Sequence, residues 1–525
     1  MESMKFYFVG FVLIYILFAL IKVLHIIWWK PMRIQHILES QGIKGPPRSI
    51  LHGSPRELPK KKENTTNLSH DIFPVIQPHI YSWMNIYEGK IFLRWRRGAG
   101  AELVITDLDL IKEILNDKEQ FFTIAKLSKY LKKIVGGGLG QSDGEKWVKL
   151  RKLANQAFHV RKQADFILLI LLLICASRDM TPAMVESVEM MLRRWSDYDG
   201  KEIDVSEEFM LLTAEVISRT AFGSSYVEGE QIFNMMKRLG ILTGKIAYKL
   251  KPPFIRKFFK DGDDIESDKL EKGIQDSIVE IVKKREKGKK GDNKQSFGED
   301  FLGLLLKAHY DCSDNDNISI EEIIDECKTF YGAGHGTTSI LLSWTILLLA
   351  INTDWQEKAR EEVTKLFGQD HPNSEGISRL KTISMIINET LRLYPPAIYA
   401  RRTTKEGAKL GNYKLPADLN ISIAILAVHH DPQIWGDDAH LFNPERFSQG
   451  VSGATKINNP AAFLPFSLGP RTCVGSNFAI TEVKIALSMI LQRYAFTLSP
   501  SYVHAPVQMF ALMPQHGVQV VLHVL

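Results

Sequence analysis

Apolar residues recur at helical spacing along most of the chain. In residues 478–494 the apolar positions fall on one face of a predicted α-helix. A second long helix is predicted from Ser319 to about Asn352, because Ser319 and Glu322 have the spacing of a capping box. Strand-like stretches are few and short, and they comprise 90–95, 103–106, the neighbourhood of Tyr413 and 518–523. We therefore predict a mainly α-helical protein with small β-sheets.

The longest apolar stretch lies at the N-terminus. Residues 6–21 are apolar throughout, and the stretch continues to Trp29 with only Lys22 and His25 as interruptions. This length suffices to cross a bilayer if Lys22 reaches towards the headgroups. No small-residue cleavage site follows, so we predict a retained transmembrane anchor over residues 1–30. A cleaved secretory signal is the alternative.

Charges beside the anchor predict its orientation. Lys30 and Arg33 follow the apolar stretch, whereas only Lys5 precedes it. Basic residues favour the cytosolic side, so the body is expected in the cytosol. Prolines then punctuate residues 31–60, which predicts a stiff hinge between anchor and body.

Two further segments depart from the general pattern. Residues 166–176 are apolar on every face but too short to span a membrane. We interpret residues 160–178 as an atypical insertion and hypothesise that it is a translated intron. A genuine buried helix extension is the alternative. The charged, glycine-bearing run 283–294 predicts an exposed loop.

Composition narrows the classes of function. Forty-five per cent of the 525 residues are apolar, which is enough for a large core. The four cysteines show no paired spacing, and this favours a reducing compartment. A net charge of +6 suits an acidic partner protein or a membrane surface better than nucleic acid.

Cys473 lies in a glycine-bounded loop directly before the predicted C-terminal helix. Phe466, Gly469, Arg471, Cys473 and Gly475 have the spacing F-x-x-G-x-R-x-C-x-G. A helix N-terminus favours negative charge on sulfur. Gly469 permits a tight turn, Gly475 permits close approach of a flat ligand, and Arg471 can neutralise a ligand carboxylate. These properties suit a thiolate ligand of haem iron, and a buried structural cysteine is the alternative.

Two charged or aromatic pairs have helical spacing. Glu389 and Arg392 share one face of an apolar helix, so they can form a buried ion pair. Such a pair needs a further partner, and Arg446 is the candidate. Trp147 and Arg151 also share a helical face, although any amphipathic helix could carry that pair.

The predicted helix after Ser319 contains Ala-Gly-His-Gly-Thr-Thr at 333–338. A glycine inside a helix costs about 1 kcal/mol relative to alanine. The glycines therefore indicate that a ligand approaches this helix or that the helix is locally opened. Tight packing against a neighbouring helix is the alternative.

Together these motifs resemble the cytochrome P450 superfamily, over nearly the whole chain and in its plant microsomal (class II) form. The stretch from 355–358 through 429–436 is similar to the clan containing secologanin-synthase-like, brassinosteroid- and gibberellin-oxidising enzymes. The resemblance implies the cytochrome P450 fold and a haem-thiolate catalytic domain over residues 61–525.

The resemblance also implies roles for individual residues. Thr337 would hydrogen-bond bound dioxygen and help to deliver protons. The family carries an acidic residue where this chain has Gly336, so protons would pass through Thr337, His335 or water. The remaining implied residues are the iron ligand Cys473, its loop (Phe466, Gly469, Arg471 and Gly475), the propionate partners Trp147, Arg151 and Arg402 (with Arg401 as the alternative), and the structural support Glu389, Arg392 and Arg446.

The implied activity is monooxygenation of a lipophilic terpenoid, sterol or hormone-like molecule. Heme b is the implied cofactor, with O2 as co-substrate and electrons from NADPH through a membrane-bound NADPH–cytochrome P450 reductase. The implied location is the endoplasmic reticulum membrane, crossed once. The expected substrate pocket includes Phe330, Tyr331 and Ala333, the loop 121–140 and residues 512–514. A haem-thiolate isomerase or dehydratase, or an impaired product of a mis-spliced transcript, is the alternative.

Overall fold

The computed structural model describes residues 2–48, 68–87, 89–96, 100–158, 166–224, 226–248, 260–288, 297–310 and 317–525. Helices dominate, as the apolar spacing predicts. In chain order the α-helices are Glu2–Leu24, Lys30–Glu39, Phe73–Ile76, Pro78–Tyr87, Leu108–Leu115, Lys129–Val135, Gly144–Phe158, Phe166–Trp195, Val205–Phe222, Tyr226–Tyr248, Gly262–Gly288, Phe301–Tyr310, Ile320–Ile351, Thr353–Phe367, Ser374–Arg379, Thr382–Leu393, Ile425–His429, Pro432–Trp435, Gly450–Gly453 and Ser476–Arg493.

The β-strands of the described residues are short and form one main sheet and three small ones. The main sheet has the order β1-β2-β8-β5-β3, in which only β2 and β8 run parallel. A second sheet has the order β4-β12-β9, and β6–β7 and β10–β11 form separate pairs. The strands are β1 Ile91–Arg96, β2 Gly100–Ile105, β3 Phe122–Ile124, β4 Glu202–Asp204, β5 Tyr399–Thr404, β6 Lys409–Leu410, β7 Tyr413–Lys414, β8 Asn420–Ala424, β9 Tyr494–Leu498, β10 Pro506–Gln508, β11 Leu512–Pro514 and β12 Gln519–Val524.

The N-terminal helix has the properties of a membrane span. Glu2–Leu24 continues through a π-helical turn, His25–Trp29, into the helix Lys30–Glu39. Residues 10–39 have a most apolar window with a mean hydropathy of 2.5, and none of that window is buried in the protein. The apolar side chains therefore need another environment, which a bilayer supplies.

The start of the predicted hinge is helical. Pro31 occupies the first turn of Lys30–Glu39, where a proline lacks no hydrogen bond that the helix needs. Ile34 and Leu38 are buried in the apolar cluster on the main sheet, and the Lys44 carbonyl accepts from Leu93 N–H at 3.0 Å. This part of 31–60 is docked to the body, which the proline count did not indicate. Residues 49–60 lie outside the described residues.

The central helix Ile320–Ile351 organises the core. Ser319 caps it with the predicted capping box. The helix is long and apolar enough to cross a membrane, but 67% of its most apolar window is buried in the protein, so it is the core helix of the body. Trp344, Leu347 and Leu348 are fully buried along it. A second apolar cluster covers one face of the main sheet.

Two segments singled out in the sequence need comment. The helix Phe166–Trp195 runs through much of the suspected insertion, but residues 159–165 and the side chains up to 179 lie outside the described residues, so the insertion stays a prediction.

The prediction of an exposed loop at 283–294 is wrong up to residue 288, where the helix Gly262–Gly288 ends. Arg285 in that last turn pairs with Asp300 at 2.8 Å and donates to the Phe222 carbonyl, and these tertiary contacts hold the turn in place. Residues 289–294 are not described.

Candidate active site

The Cys473 loop has the backbone shape that its glycines predict. A 3-10 turn, Gly469–Arg471, precedes the cysteine, and Gly475 caps the helix Ser476–Arg493. Gly469 has φ +76°, and a Cβ there would lie 2.1 Å from the Leu115 carbonyl oxygen, so no other residue fits. Cys473 N–H donates to the Phe466 carbonyl at 2.9 Å. The loop is thus closed on itself around the sulfur.

The electrostatics of the Cys473 thiol differ from the sequence expectation. Burial raises the pKa of this thiol, although the Gly475 N–H and the Arg151 charge both act to lower it. Burial therefore opposes the negative charge that the helix terminus favours on this sulfur. The side chain is nevertheless accessible, and a bound metal cation would remove its proton.

Glu389 and Arg392 form the predicted buried ion pair. Both side chains are fully buried, and Arg392 Nε and Nη2 donate to the two Glu389 oxygens at 2.7 Å each. Arg392 also donates to the carbonyls of His429, Ala439 and Leu441. Arg446 Nε lies 3.5 Å from Glu389 Oε1, so the three predicted residues meet.

The described contacts of Arg392 and Arg446 extend to the segment preceding the cysteine loop. Arg446 donates to the carbonyls of Trp435 and Asp438 at 2.8 Å each, and Asn443 N–H donates to Glu389 Oε1 at 3.0 Å. Every strongly buried charge here has a partner, which is the arrangement of a structural network.

The predicted propionate partners gather beside the cysteine loop with an excess of positive charge. Arg151 Nη1 donates to the Thr472 carbonyl at 2.6 Å. The Arg471 guanidinium lies 4.6 Å from the centre of the Trp147 ring and pairs with Asp143. Burial and the nearby Arg471 charge lower the pKa of Arg402 to about 10. Among the described residues, neither Arg151 nor Arg402 forms an ion pair with a carboxylate.

Strand alternation separates Arg402 from its alternative, Arg401. Consecutive residues of β5 point to opposite faces of the sheet. Arg402 is close enough to Arg471 and Asp143 for their charges to shift its pKa, whereas the pKa of Arg401 responds to Glu102, Arg96 and Arg94. The structure therefore places Arg402, and not Arg401, with the arginines beside Cys473.

One face of the central helix is accessible although the helix lies in the core. Ala333 and Thr337, four residues apart, are both exposed, and Thr337 Oγ1 donates to the Ala333 carbonyl at 2.8 Å. A Cβ at Gly336 would meet nothing within 4 Å, whereas a Cβ at Gly334 would lie 2.8 Å from Ile217. The glycines thus have two causes: Gly334 allows close helix packing, and Gly336 leaves open space beside Thr337.

His335 does not lie on this face. Its Nδ1 is 3.2 Å from Thr213 Oγ1, which also lies 3.1 Å from the His335 carbonyl. Its ring packs edge-on against Phe233 at 5.0 Å. Burial lowers the pKa of His335 to about 4, despite a hydrogen bond with the Met210 backbone. His335 lies two residues after Ala333, which is about 200° around the helix, so its side chain is on the opposite side from Ala333 and Thr337. A proton-carrying role for His335 is therefore not supported.

The prediction of the residues that line the substrate pocket is also wrong in part. Phe330 stacks on Phe158 at 5.1 Å and Tyr331 on Phe222 at 4.0 Å, so both pack in the core instead of facing a pocket. Leu512 is fully buried, and its carbonyl accepts from Trp344 Nε1 at 3.0 Å. Ala333 remains as an accessible member of the expected set.

Sequence reasoning missed one charged residue of the site. Asp143 pairs with Arg471, and Arg471 Nη1 also donates to the neighbouring Ser142 carbonyl at 3.0 Å. Both residues directly precede the helix that carries Trp147 and Arg151. Their closeness in sequence to that motif was the only available signal.

The residues present fit a haem. A Cβ at Gly475 would meet nothing within 4 Å, and the same holds at Gly336, so there is open space beside the cysteine loop and beside Thr337. The arginines outnumber the one carboxylate near them, which suits the two propionates. Cys473 supplies an accessible sulfur.

Comparison with known proteins agrees with this geometry. The cytochrome P450 family model matches residues 76–522. The chain is 52% identical over 519 residues to cytochrome P450 CYP749A22 of Panax ginseng, covering 97% of this chain and 95% of the relative. It is 38% identical over 524 residues to the 11-oxo-beta-amyrin 30-oxidase of Glycyrrhiza uralensis, covering 95% and 94%.

A further relative and one solved structure complete the comparison. The 7-deoxyloganic acid hydroxylase of Catharanthus roseus is 37% identical over 521 residues, covering 97% of this chain and 96% of the relative. The retinoic acid-bound cyanobacterial CYP120A1 has the same fold, with a TM-score of 0.71 at 24% identity over 87% of this chain and 96% of that chain.

Proposed function

We propose the roles of individual residues from one premise: the chain belongs to the cytochrome P450 family, in its plant class II type. It is a haem-dependent monooxygenase, and its relatives oxidise terpenoids and related lipophilic molecules. The isomerase or mis-spliced alternative has no support from these relatives. Haem supplies the activation of O2 when it is bound.

Cys473 is the proposed iron ligand. Its accessible sulfur, held by the Phe466–Cys473 backbone hydrogen bond, is the observation that carries the proposal. Gly469 and Gly475 shape the loop, and the buried Glu389–Arg392–Arg446 network would support it through the segment that precedes it.

Trp147, Arg151, Arg402 and Arg471 are the proposed partners of the propionates. Arg151 and Arg402 have no carboxylate partner in the described part of the chain, so a bound anion would satisfy charges that now lack one. Asp143 would hold Arg471 in position, since the two side chains already pair.

Thr337 is the proposed residue that passes protons to the reacting oxygen. Its hydroxyl is accessible and donates to the Ala333 carbonyl. The open space at Gly336 would hold water, because no carboxylate stands there to relay a proton. Proton delivery through Thr337 and water is therefore our proposal for this chain.

The remaining assignments follow the relatives and the N-terminal helix. We propose a terpenoid, sterol or hormone-like substrate, as the names of the amyrin oxidase and the deoxyloganic acid hydroxylase suggest. Electrons would come from NADPH through NADPH–cytochrome P450 reductase. Residues 1–30 would cross the endoplasmic reticulum membrane once, with the catalytic domain in the cytosol and no role for nucleic acid.

A difference spectrum tests the proposal. The reduced, carbon monoxide-treated full-length protein should show the red-shifted Soret band of a thiolate-ligated haem, and Cys473→Ala should abolish it. Cys327→Ala is the matched control, because Cys327 is a buried core thiol, and it should keep the band. A band that survives Cys473→Ala would refute the assignment. Product formation that needs no NADPH would refute the reductase-dependent reaction.

A further inference from the structure

His429 is a fully buried histidine to which the proposed site assigns no role. It is the last residue of the helix Ile425–His429. Its backbone carbonyl accepts a hydrogen bond from Arg392 Nη1 at 3.0 Å, and its Nε2 accepts one from Leu464 N–H at 2.9 Å. One residue thus contacts both the buried Glu389–Arg392 pair and the segment that leads into the cysteine loop.

The backbone N–H of Leu464 needs an acceptor inside the protein. Leu464 is buried, and residues 463–468, all of which the structure describes, belong to no helix or strand. A buried backbone donor without a partner destabilises the fold, because water cannot replace the missing bond. The His429 imidazole supplies the acceptor that a helix or a sheet would otherwise provide.

The chain after Leu464 forms a turn that brings Phe466 to the cysteine. Ser467 N–H donates to the Leu464 carbonyl at 3.1 Å, and Cys473 N–H donates to the Phe466 carbonyl at 2.9 Å. Ser467 has φ +64°, a left-handed conformation that is strained for a residue other than glycine. Such strain persists only where the surroundings enforce it. The bond from Leu464 N–H to His429 is one of the restraints that enforce this turn.

The imidazole of His429 is in the form that can accept this bond. Burial, together with the nearby His430 and Arg392, lowers the pKa of His429 to about 3, so the ring is neutral near pH 7. A neutral imidazole has one accepting nitrogen and one that carries hydrogen, so Nδ1 carries the hydrogen here. The backbone of Arg392 and Leu391 lies near enough to act against the pKa shift, but Nδ1 forms no well-aligned hydrogen bond in the described structure.

Aromatic neighbours fix the plane of the His429 ring. The ring stacks on Phe463, with centres 5.5 Å apart and an interplanar angle of 22°, and Trp435 lies edge-on to it at 6.4 Å. Phe463 directly precedes Leu464. His429 therefore contacts two consecutive residues of the segment, one through the face of its ring and one through Nε2.

The neighbouring His430 has a similar environment but a different partner. It is also buried, and burial is the main cause that lowers its pKa to about 3. Its Nε2 lies 2.9 Å from the carbonyl oxygen of Leu393, the last residue of the helix Thr382–Leu393. Two adjacent buried histidines thus form hydrogen bonds of equal length, and only that of His429 reaches the segment before the cysteine loop.

We propose that His429 is a positioning residue for Cys473, the proposed iron ligand. Arg392 holds the backbone of His429, and the His429 ring holds Leu464 N–H. Leu464 begins the turn whose Phe466 carbonyl accepts the hydrogen bond from Cys473 N–H. The buried ion pair is thereby connected to the cysteine through one imidazole. This proposal rests on the proposed function, because it concerns how Cys473 is held for the haem.

The test compares two variants of the full-length, haem-loaded protein. His429→Leu has no acceptor, whereas the side-chain oxygen of His429→Gln can accept from Leu464 N–H. In the reduced, carbon monoxide-treated protein, His429→Leu should raise the ratio of haem without a thiolate ligand to thiolate-ligated haem about tenfold, as expected when a buried donor loses its partner. His429→Gln should restore most of the thiolate band.

Hydrogen–deuterium exchange gives a readout that does not depend on the haem spectrum. Peptides that cover residues 460–473 should exchange about tenfold faster in His429→Leu, because the Leu464 amide and the turn after it lose a restraint. Peptides that cover residues 382–393 should exchange as in the unaltered protein. Should His429→Leu yield no folded protein, His429→Asn takes its place, because its shorter side chain falls short of Leu464 N–H.

His430→Leu is the matched control, because it removes an adjacent buried imidazole and a hydrogen bond of the same length. It should lower the thermal unfolding midpoint but keep the thiolate band and the slow exchange of residues 460–473. The proposal is overturned if His429→Leu keeps the band, if both leucine variants lose it equally, or if His429→Gln restores none of it. Failure of the proposed function is distinguishable: the unaltered protein would show no thiolate band, while exchange in residues 460–473 would still respond to His429→Leu.

Discussion

Two buried arginines, Arg392 and Arg402, differ in how their charges are satisfied. Arg392 donates to both oxygens of Glu389 and to three backbone carbonyls, with both side chains fully buried. Arg402 is also buried, yet the described structure gives it one backbone carbonyl, that of Arg401 at 2.9 Å. A satisfied buried cation becomes costly only when one of its partners is removed, whereas a buried cation without a carboxylate partner can bind an anionic ligand.

The largest effect is expected from Arg392→Ala. Removing one partner of a buried pair leaves an uncompensated charge on Glu389 and costs about 3–5 kcal/mol. We expect little folded protein and no carbon monoxide band, with Arg392→Lys intermediate because lysine cannot donate to both oxygens. Expression yield and thermal unfolding measure this. A loss below about 1 kcal/mol would mean that the network is not structural.

Arg402→Gln should behave in the opposite way. The haem-free protein should unfold at the same temperature or higher, because a buried, unpaired cation is removed. Haem retention should fall about tenfold or more, as expected for a lost hydrogen bond to a charged group. Transfer of haem to apomyoglobin measures retention. Arg401→Gln is the control and should keep haem, since Arg401 points to the opposite face of the sheet from Arg402. Equal haem loss in both variants would contradict the assignment of Arg402, and not Arg401, to the haem site.

The sequence predicted the contacts of Arg392, whose charge has partners, better than the surroundings of the arginines beside Cys473. Glu389 and Arg392 lie three residues apart in one helix, so local spacing was enough to pair them. Asp143 and Arg471 meet across 328 residues, and no spacing rule reports such a contact. The charged group on the main sheet was equally hidden, because Arg94, Glu102 and Arg401 come together only through strand pairing.

The fold, too, has features that local sequence patterns predict and features that they do not. The capped central helix, the strands and the N-terminal apolar helix follow from local patterns. The orientation of the central helix could not be predicted in this way, since its sequence is apolar around most of its circumference. The four-residue spacing of Ala333 and Thr337 was the signal that would have put His335 and Tyr331 on other faces. It gives no such signal for Phe330, whose stacking on Phe158 only the structure shows.

His335 is a third buried basic side chain, and unlike Arg392 and Arg402 it is neutral when buried. Its pKa of about 4 in the folded protein lies below the ordinary value of 6.5. The unfolded chain therefore binds more protons between pH 6.5 and 4, and stability falls as the pH falls through that window. His335→Gln should remove about 2 kcal/mol of the loss between pH 7 and pH 5. Urea unfolding at both pH values measures it; an unchanged pH dependence would show that His335 is not buried as described.

Gly336→Glu gives the smallest expected effect and tests the accessible side of the same helix. A Cβ at this position meets no atom within 4 Å, so the side chain can enter without displacing the core. A carboxylate beside Thr337 would act as a second proton donor, and we expect product formed per NADPH to rise by a few-fold, well below the roughly hundredfold of a full general acid. Gly336→Ala adds a Cβ without an ionisable proton and should leave that ratio unchanged. If both variants raise it equally, helix stiffening and not proton supply is the cause, because alanine also stabilises a helix by about 1 kcal/mol over glycine.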